Sequence, residues 1–164
     1  RGLLGHSRVG TRAARAVSVN AILKNLIDGM SAEMIQRRVV VQWAPDDGLL
    51  PMFIDGLMIE QIAHTVVANA LDAMPEGGTL TLATRHIKSG KKSGAAEIAI
   101  TDTGVGIPEH KLKQTFAAPA STKTHGLGIG LPLVQRTVER MGGALTLSSR
   151  SGHGTRVTIT IPQI

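Results

Sequence analysis

The stretch Asp102-Thr103-Gly104-Val105-Gly106-Ile107-Pro108 follows directly on Ala96-Glu97-Ile98-Ala99-Ile100-Thr101, and the junction between them governs the reading of the whole chain. The upstream half alternates apolar and polar residues, the pattern of a strand with one buried face. The downstream half gives up side chains for backbone. Glycines at alternate positions let main chain approach a ligand more closely than a Cβ allows, and the carboxylate at the strand end is a directed acceptor. An acid-glycine turn also serves simply to connect elements, so the surrounding sequence must decide its use.

Upstream, Thr79 to His86 alternates in the same way and should pair with Ala95 to Thr101 as a hairpin across a flexible basic loop, Lys88 to Gly94. Before it, Asp55 can cap a helix whose apolar face is Leu57, Ile59, Ile62, Ala63, Val66, Val67, Ala70 and Leu71, stopped by Met74-Pro75-Glu76-Gly77-Gly78. Earlier still, Ser18-Val19-Asn20 offers caps for a helical run from Ile22 to Ile35 that Gly29 and Ser31 are placed to divide. Val39 to Trp43 reads as a strand, Ala44 to Gly48 as a turn, and Leu49 to Ile54 as a short apolar run.

Downstream, Pro108 suits the first turn of a short helix containing His110, Leu112 and Phe116. Ala117 to Gly130 is poor in bulky apolar residues and is expected to be a mobile loop. Leu131 to Met141 has helical spacing, and Ala144 to Ser149 with Thr155 to Ile161 form a second hairpin. This order predicts an α/β fold of two packed layers, helices on a mixed sheet. A doubly wound dinucleotide fold is excluded, because it needs a glycine-rich turn after an early strand, whereas here a hairpin precedes both glycine motifs.

Composition narrows the chemistry. The 164 residues, 42% of them hydrophobic, suit one compact domain with a short appended segment. The absence of cysteine removes disulfides, thiol nucleophiles and thiolate-ligated metals. Trp43, Phe53 and Phe116 are the whole aromatic set, too few for a base-stacking platform. The formal charge of +6 is scattered between Arg1, Arg8, Arg12 and Arg15 and the loop residues Arg85, Lys88, Lys91 and Lys92. With no recognition helix in view, nucleic acid is not expected as a partner. No apolar run reaches membrane-span length and no signal peptide is evident. A first residue other than methionine fits a piece excised from a longer protein.

Two further features carry chemistry. Asn69 stands inside the apolar helix between Ala68 and Ala70, where an asparagine is unfavourable and the small neighbours allow close approach of a ligand or ion. Gly126-Leu127-Gly128-Ile129-Gly130 leads straight into a helix, and unpaired N–H groups at a helix start attract phosphate. Lys123 adds a cation nearby. No Gly-Lys-Ser/Thr follows, so this is not a Walker motif, and the alternative use of such glycines is a plain hinge. The histidines lack zinc-type spacing. Magnesium bridging phosphates needs few protein ligands, and one amide oxygen from Asn69 would suffice. Neither a catalytic triad nor a carboxylate pair can be argued from spacing.

Taken in order, these motifs resemble the catalytic ATP-binding domain of bacterial sensor histidine kinases, within the gyrase, Hsp90, histidine kinase and MutL superfamily. Glu60-Gln61-Ile62 through Asn69-Ala70-Leu71-Asp72-Ala73-Met74-Pro75-Glu76-Gly77-Gly78 is similar to the N-box, Asp102 to Pro108 to the G1-box, and Gly126 to Leu131 to the G2-box. Phe116 with Ser121-Thr122-Lys123 resembles the F-box. The resemblance runs over roughly residues 18 to 162. It implies a two-layer α/β sandwich of Bergerat type, with a mixed, mainly antiparallel sheet and helices on one face.

By the same resemblance Asn69 would coordinate Mg2+, Asp102 would accept from the adenine amino group of ATP, and Gly104 and Gly106 would make room for the nucleotide. Gly126, Leu127, Gly128 and Gly130 would hold the phosphates as a lid closes, with Lys123 assisting. Residues 1–16 would be the end of the preceding dimerisation and phosphoacceptor helix region, and 17–164 the catalytic domain. The implied activity is delivery of the γ-phosphate to a histidine outside this chain, on the same or the dimer-mate subunit, and then to a response regulator aspartate. A cytoplasmic domain of a homodimeric, membrane-anchored or free protein is implied. No histidine box is present, since His6 lacks the acidic neighbour, so the fragment is not expected to autophosphorylate in isolation.

Two departures from the family pattern stand out. Thr65, four residues before Asn69, occupies the place of an asparagine in many sensor kinases and of a glutamate base in ATP-hydrolysing members. Threonine is no general base at ordinary pH, which favours transfer over hydrolysis. Pro119 stands where a second F-box phenylalanine is often found, which bears on how the lid is anchored. The competing readings are a degenerate or regulatory nucleotide-binding module and an anti-sigma-type serine kinase.

Overall fold

The computed structural model describes residues 15–89, 92–117 and 130–164. In chain order the elements are β1 (Arg15–Val17), α1 (Val19–Gly29), α2 (Ser31–Gln36), β2 (Val39–Ala44), β3 (Met52–Ile54), α3 (Gly56–Asp72), β4 (Gly78–Ser89) and β5 (Lys92–Asp102). They continue with α4 (Glu109–Ala117), α5 (Leu131–Arg140), β6 (Ala144–Ser149) and β7 (Thr155–Pro162).

The main sheet has the order β2-β4-β5-β7-β6. Only β2 and β4 pair in parallel, and the other neighbours are antiparallel. The expected mixed, mainly antiparallel sheet with a helical layer is what the chain adopts. Register explains which face is covered. Trp43, Leu82, Ile100, Val157 and Leu147 are successive cross-strand partners, so one row of apolar side chains spans all five strands. The next row toward one end of the sheet is Val41, Leu80, Asp102, Thr155 and Ser149. It starts apolar on β2 and β4 and turns polar from the third strand of the sheet, β5, through β7 to β6. Because side chains alternate across a strand, both rows lie on the same face.

That face is packed by α3, whose Ile59, Val66, Val67 and Leu71 are 2% exposed or less. Full burial of a side chain of this size contributes about 1.5–3 kcal/mol. On either side α1 and α5 pack against α3, and α5 also reaches α4. The termini of α3 form as the sequence indicates: the Asp55 carboxylate accepts from Leu57 and Met58 N–H at 3.1 and 3.2 Å, and the helix stops ahead of Pro75. The run from Ile22 to Ile35 is divided at Met30, between Gly29 and Ser31.

The turn after β2 is held by a polar network. Asp46 N–H donates to Thr84 Oγ1, Thr84 donates to Asn20 Oδ1, and Asn20 donates to the Asp46 carbonyl. The Asp46 carboxylate accepts from the main chain of His86 and Gly48, both at 2.8 Å, and these N–H groups hold its pKa below the ordinary carboxylate value.

Two expectations are corrected. Arg15 and Ala16, assigned above to a preceding helix, lie in β1 and pair antiparallel with Ile54 and Phe53, so they belong to the folded domain. Extended pairing with β3 outcompetes local helix propensity there. Residues 1–14 lie outside the described residues. The basic loop is also shorter than Lys88 to Gly94, because β4 and β5 keep pairing to Ser89 and Lys92 past a register shift. Gly94 permits this by lying against the His86 ring, where a Cβ would fall on Nε2. Of the expected loop from Ala117 to Gly130, residues 118–129 lie outside the described residues.

Candidate functional site

At the polar end of the covered face, a cleft opens to solvent. Val66, Asn69 and Ala70 of α3 form one wall, and Ile100 and Asp102 of β5 with Thr155 and Val157 of β7 form the floor. Ile107 and Leu131, at the head of α5, complete the lining. An apolar slot with a few polar groups at defined places is the usual form of a small-molecule site.

Asp102 ends β5 and is 5% exposed. Its Oδ1 accepts from Gly104 N–H at 2.8 Å, and the main chain of Thr155 donates to the carboxylate as well. Burial raises its pKa above the ordinary carboxylate value, and the two main-chain donors offset that in part. The group is therefore a buried acceptor with a defined direction.

Asn69 projects from α3 into the same cleft, and its Nδ2 is enclosed without a hydrogen-bond partner among the described residues. Leaving a buried amide donor unpaired costs about 1–3 kcal/mol, so the position favours a ligand that supplies the missing partner. The oxygen of the same amide can serve a divalent ion while the nitrogen meets an anionic oxygen. Among the described residues no group of three or more histidine and carboxylate side chains could hold a metal by itself. An ion here would need further oxygens from a ligand or from water.

Gly104 and Gly106 both lie close against the protein's own backbone. A Cβ on Gly104 would fall on the Ala73 carbonyl oxygen at the end of α3, where Val105 N–H already donates at 2.9 Å. At Gly106, φ is +69° and a Cβ would fall on the Arg150 carbonyl oxygen. Both positions exclude side chains because the protein's own backbone lies there. They mould the turn that carries Asp102, and Gly152 N–H clamps the same turn by donating to Val105 O at 2.7 Å.

Gly130 precedes α5 with no side-chain cap, and Pro132 in the first turn has no N–H to offer. Main-chain N–H groups at such a helix start are the kind of donor that receives an anion. A Cβ on Gly130 would fall on Thr65 Cγ2 and come within 3.9 Å of Asn69 Nδ2, so the helix start sits over the asparagine. The Thr65 hydroxyl donates to Gln61 O at 3.0 Å within its own helix. Phe116 is partly buried against the core from α4. Lys123, Gly126, Leu127 and Gly128 lie outside the described residues.

Of the residues named from the sequence, the fold brings Asn69 and Asp102 into one cleft, with Gly130 next to its lining residue Leu131. Sequence reasoning missed Thr155, Val157, Ile100, Ile107 and Leu131. The alternation of β5 places Ile100 on the face of Asp102, a signal available in the sequence. Nothing local announces that Thr155 pairs with Asp102, because that register joins strands far apart in the chain.

The chain is 30% identical to sporulation kinase C of Bacillus subtilis over 146 residues, 88% of this chain but 33% of that protein. It therefore spans only part of that relative's length. The catalytic domain of histidine kinase ThkA superposes with a TM-score of 0.79 at 21% identity, covering 91% of this chain and 95% of that one; ThkA is also known in complex with the response regulator protein TrrA. Full-length ShkA in complex with AMPPNP matches with a TM-score of 0.76 at 25% identity, over 91% of this chain and 31% of that one. The family model for histidine kinase-, DNA gyrase B- and HSP90-like ATPases matches residues 54–164, from the last residue of β3 through both hairpins that build the cleft, and the chain belongs to that family.

Proposed function

We propose that this chain is the ATP-binding catalytic domain of a sensor histidine kinase, delivering the γ-phosphate to a histidine outside these residues, from which it passes to a response regulator aspartate. The observation that carries the reading is the pairing of two polar groups in one apolar cleft: a buried carboxylate at the end of β5 and an unpartnered amide on α3. Asp102 accepts from the exocyclic amino group of adenine, and the apolar lining takes the ring. Asn69 holds Mg2+ through its amide oxygen. Gly126, Leu127, Gly128 and Gly130 take the phosphates at the head of α5, and Lys123 supplies a cation.

Bound magnesium would neutralise charge on the β- and γ-phosphates, and transfer then asks the protein mainly for position. Thr65 supports transfer over hydrolysis, since its hydroxyl is engaged with Gln61 O and is no base. The domain would work beside a phosphoacceptor helix pair of the same or the dimer-mate chain in a homodimer. Among the described residues no helix is long and apolar enough to cross a membrane.

The test is calorimetric titration with a non-hydrolysable ATP analogue, with and without magnesium, on the intact chain and on Asp102→Ala and Asn69→Ala. D102A should abolish adenine-dependent binding, and N69A should mainly remove the magnesium effect. Equal binding by all three proteins refutes both assignments.

A further inference from the structure

Ser149, the last residue of β6, sits outside the cleft lining, yet its hydroxyl connects β6 to the start of β7 and to the loop that follows β5. It accepts from Ile107 N–H at 2.7 Å, donates to the Gly154 carbonyl at 3.0 Å, and lies 2.7 Å from Thr155 Oγ1. A hydroxyl has one proton and two lone pairs. A carbonyl oxygen can only accept, so the contact with Gly154 uses the Ser149 proton. The contact with Ile107 uses one lone pair, because an N–H can only donate. What remains for Thr155 is the second lone pair. Thr155 must therefore donate to Ser149, and its own proton points away from the cleft.

Thr155 lines that cleft beside Asp102, its direct cross-strand partner, and Ser149 is the next partner in the same row. With its proton engaged, the Thr155 oxygen can offer the cleft only lone pairs. The neighbouring Asp102 carboxylate is likewise an acceptor. We propose that Ser149 is a specificity-determining positioning residue: by orienting the Thr155 hydroxyl, it makes the base end of the cleft all-acceptor, which selects a 6-amino purine over a 6-oxo purine. The inference rests on the adenine site proposed above. A 6-amino group brings two donors to such a floor, whereas a 6-oxo group brings an acceptor that finds no proton. Discrimination of this kind is strong because the wrong partner leaves buried polar groups unpaired.

Replacing Ser149 by alanine frees the Thr155 hydroxyl to rotate and donate toward a 6-oxo group. Ser149→Thr keeps the bridging hydroxyl. The experiment is calorimetric titration of the whole 164-residue chain with the imido analogues of ATP and of ITP. The wild type should prefer the adenine analogue. In S149A that preference should shrink by about fivefold or more, the scale of one net hydrogen bond, and S149T should retain it.

An unchanged ratio in S149A overturns the inference and leaves the adenine site standing, whatever happens to absolute affinity. A wild type that binds neither analogue, or does not distinguish them, overturns the adenine site and this inference together. If loss of the Ile107 partner prevents S149A from folding, Thr155→Val against Thr155→Ser carries the same comparison. T155V should show a smaller preference than T155S, and equal ratios in the two overturn the proposal.

Discussion

Gly130 at the head of α5 lies against the methyl group of Thr65 on α3, so closely that a Cβ on the glycine would overlap Thr65 Cγ2. The contact sets how near the α5 start comes to Asn69. Gly130→Ala should therefore destabilise the domain by about 1–3 kcal/mol through overpacking. Thr65→Ser removes only the offending methyl, and the double variant should recover at least half of the loss. Urea denaturation of the four proteins gives the coupling, and additive losses would show that the contact is not the cause.

Burial raises the Asp102 pKa, and this has opposite consequences for the free and bound domain. With the folded pKa above the unfolded one, the free domain is relatively more stable below the unfolded value and loses that increment as pH rises through the folded one. Adenine recognition needs the ionised acceptor, so affinity for an ATP analogue should fall as pH drops through a midpoint above the ordinary carboxylate value. Asp102→Asn should leave the ligand-free domain at pH 7 as stable as the wild type or more so. Its affinity should fall at least about tenfold, the scale of a charge-assisted hydrogen bond. Thermal melts and calorimetry across pH 4.5 to 8 check both signs, and a D102N that binds normally would remove Asp102 from adenine recognition.

Asn69 lowers the stability of the free domain. Its buried Nδ2 has no partner among the described residues, and asparagine is a weaker helix former than alanine. Asn69→Ala should leave ligand-free stability unchanged or raise it by up to about 1 kcal/mol. A clear loss of stability in N69A would mean that the amide serves packing instead of a ligand.

Arg38, between α2 and β2, has a positive φ of 59°. Its carbonyl accepts from Gly78 N–H at 3.2 Å, which ties the conformation to the start of β4. A non-glycine residue in the left-handed region is strained, and Arg38→Gly should stabilise the domain by about 0.5–1 kcal/mol. Chemical denaturation would detect this, and a destabilised R38G would indicate that the arginine side chain contributes more than the strain costs.

Much of this architecture is legible locally. Alternation marks β4, β5 and β7, helical spacing marks α3 and α5, and the Asp55 cap and Pro75 bound α3 close to its observed ends. The three-residue β1 has no such mark, because so short a segment gains its strand conformation from β3 rather than from its own residues. The roles of Gly104 and Gly106 were hidden for a related reason. What forbids a side chain there is the Ala73 and Arg150 carbonyls, which only the folded chain brings near.

The sequence by itself determined the order of elements, the acid at the end of β5, the asparagine inside α3 and the glycines before α5, because periodicity, capping and turn chemistry act over a few residues. The tertiary structure decided which polar groups share a cleft. Asp102, Thr155 and Ser149 meet because β5, β7 and β6 pair in one particular register, and a shift of one residue would turn each to the other face. That register is selected by burying the whole row of apolar neighbours at once, a cooperative property that no single strand carries.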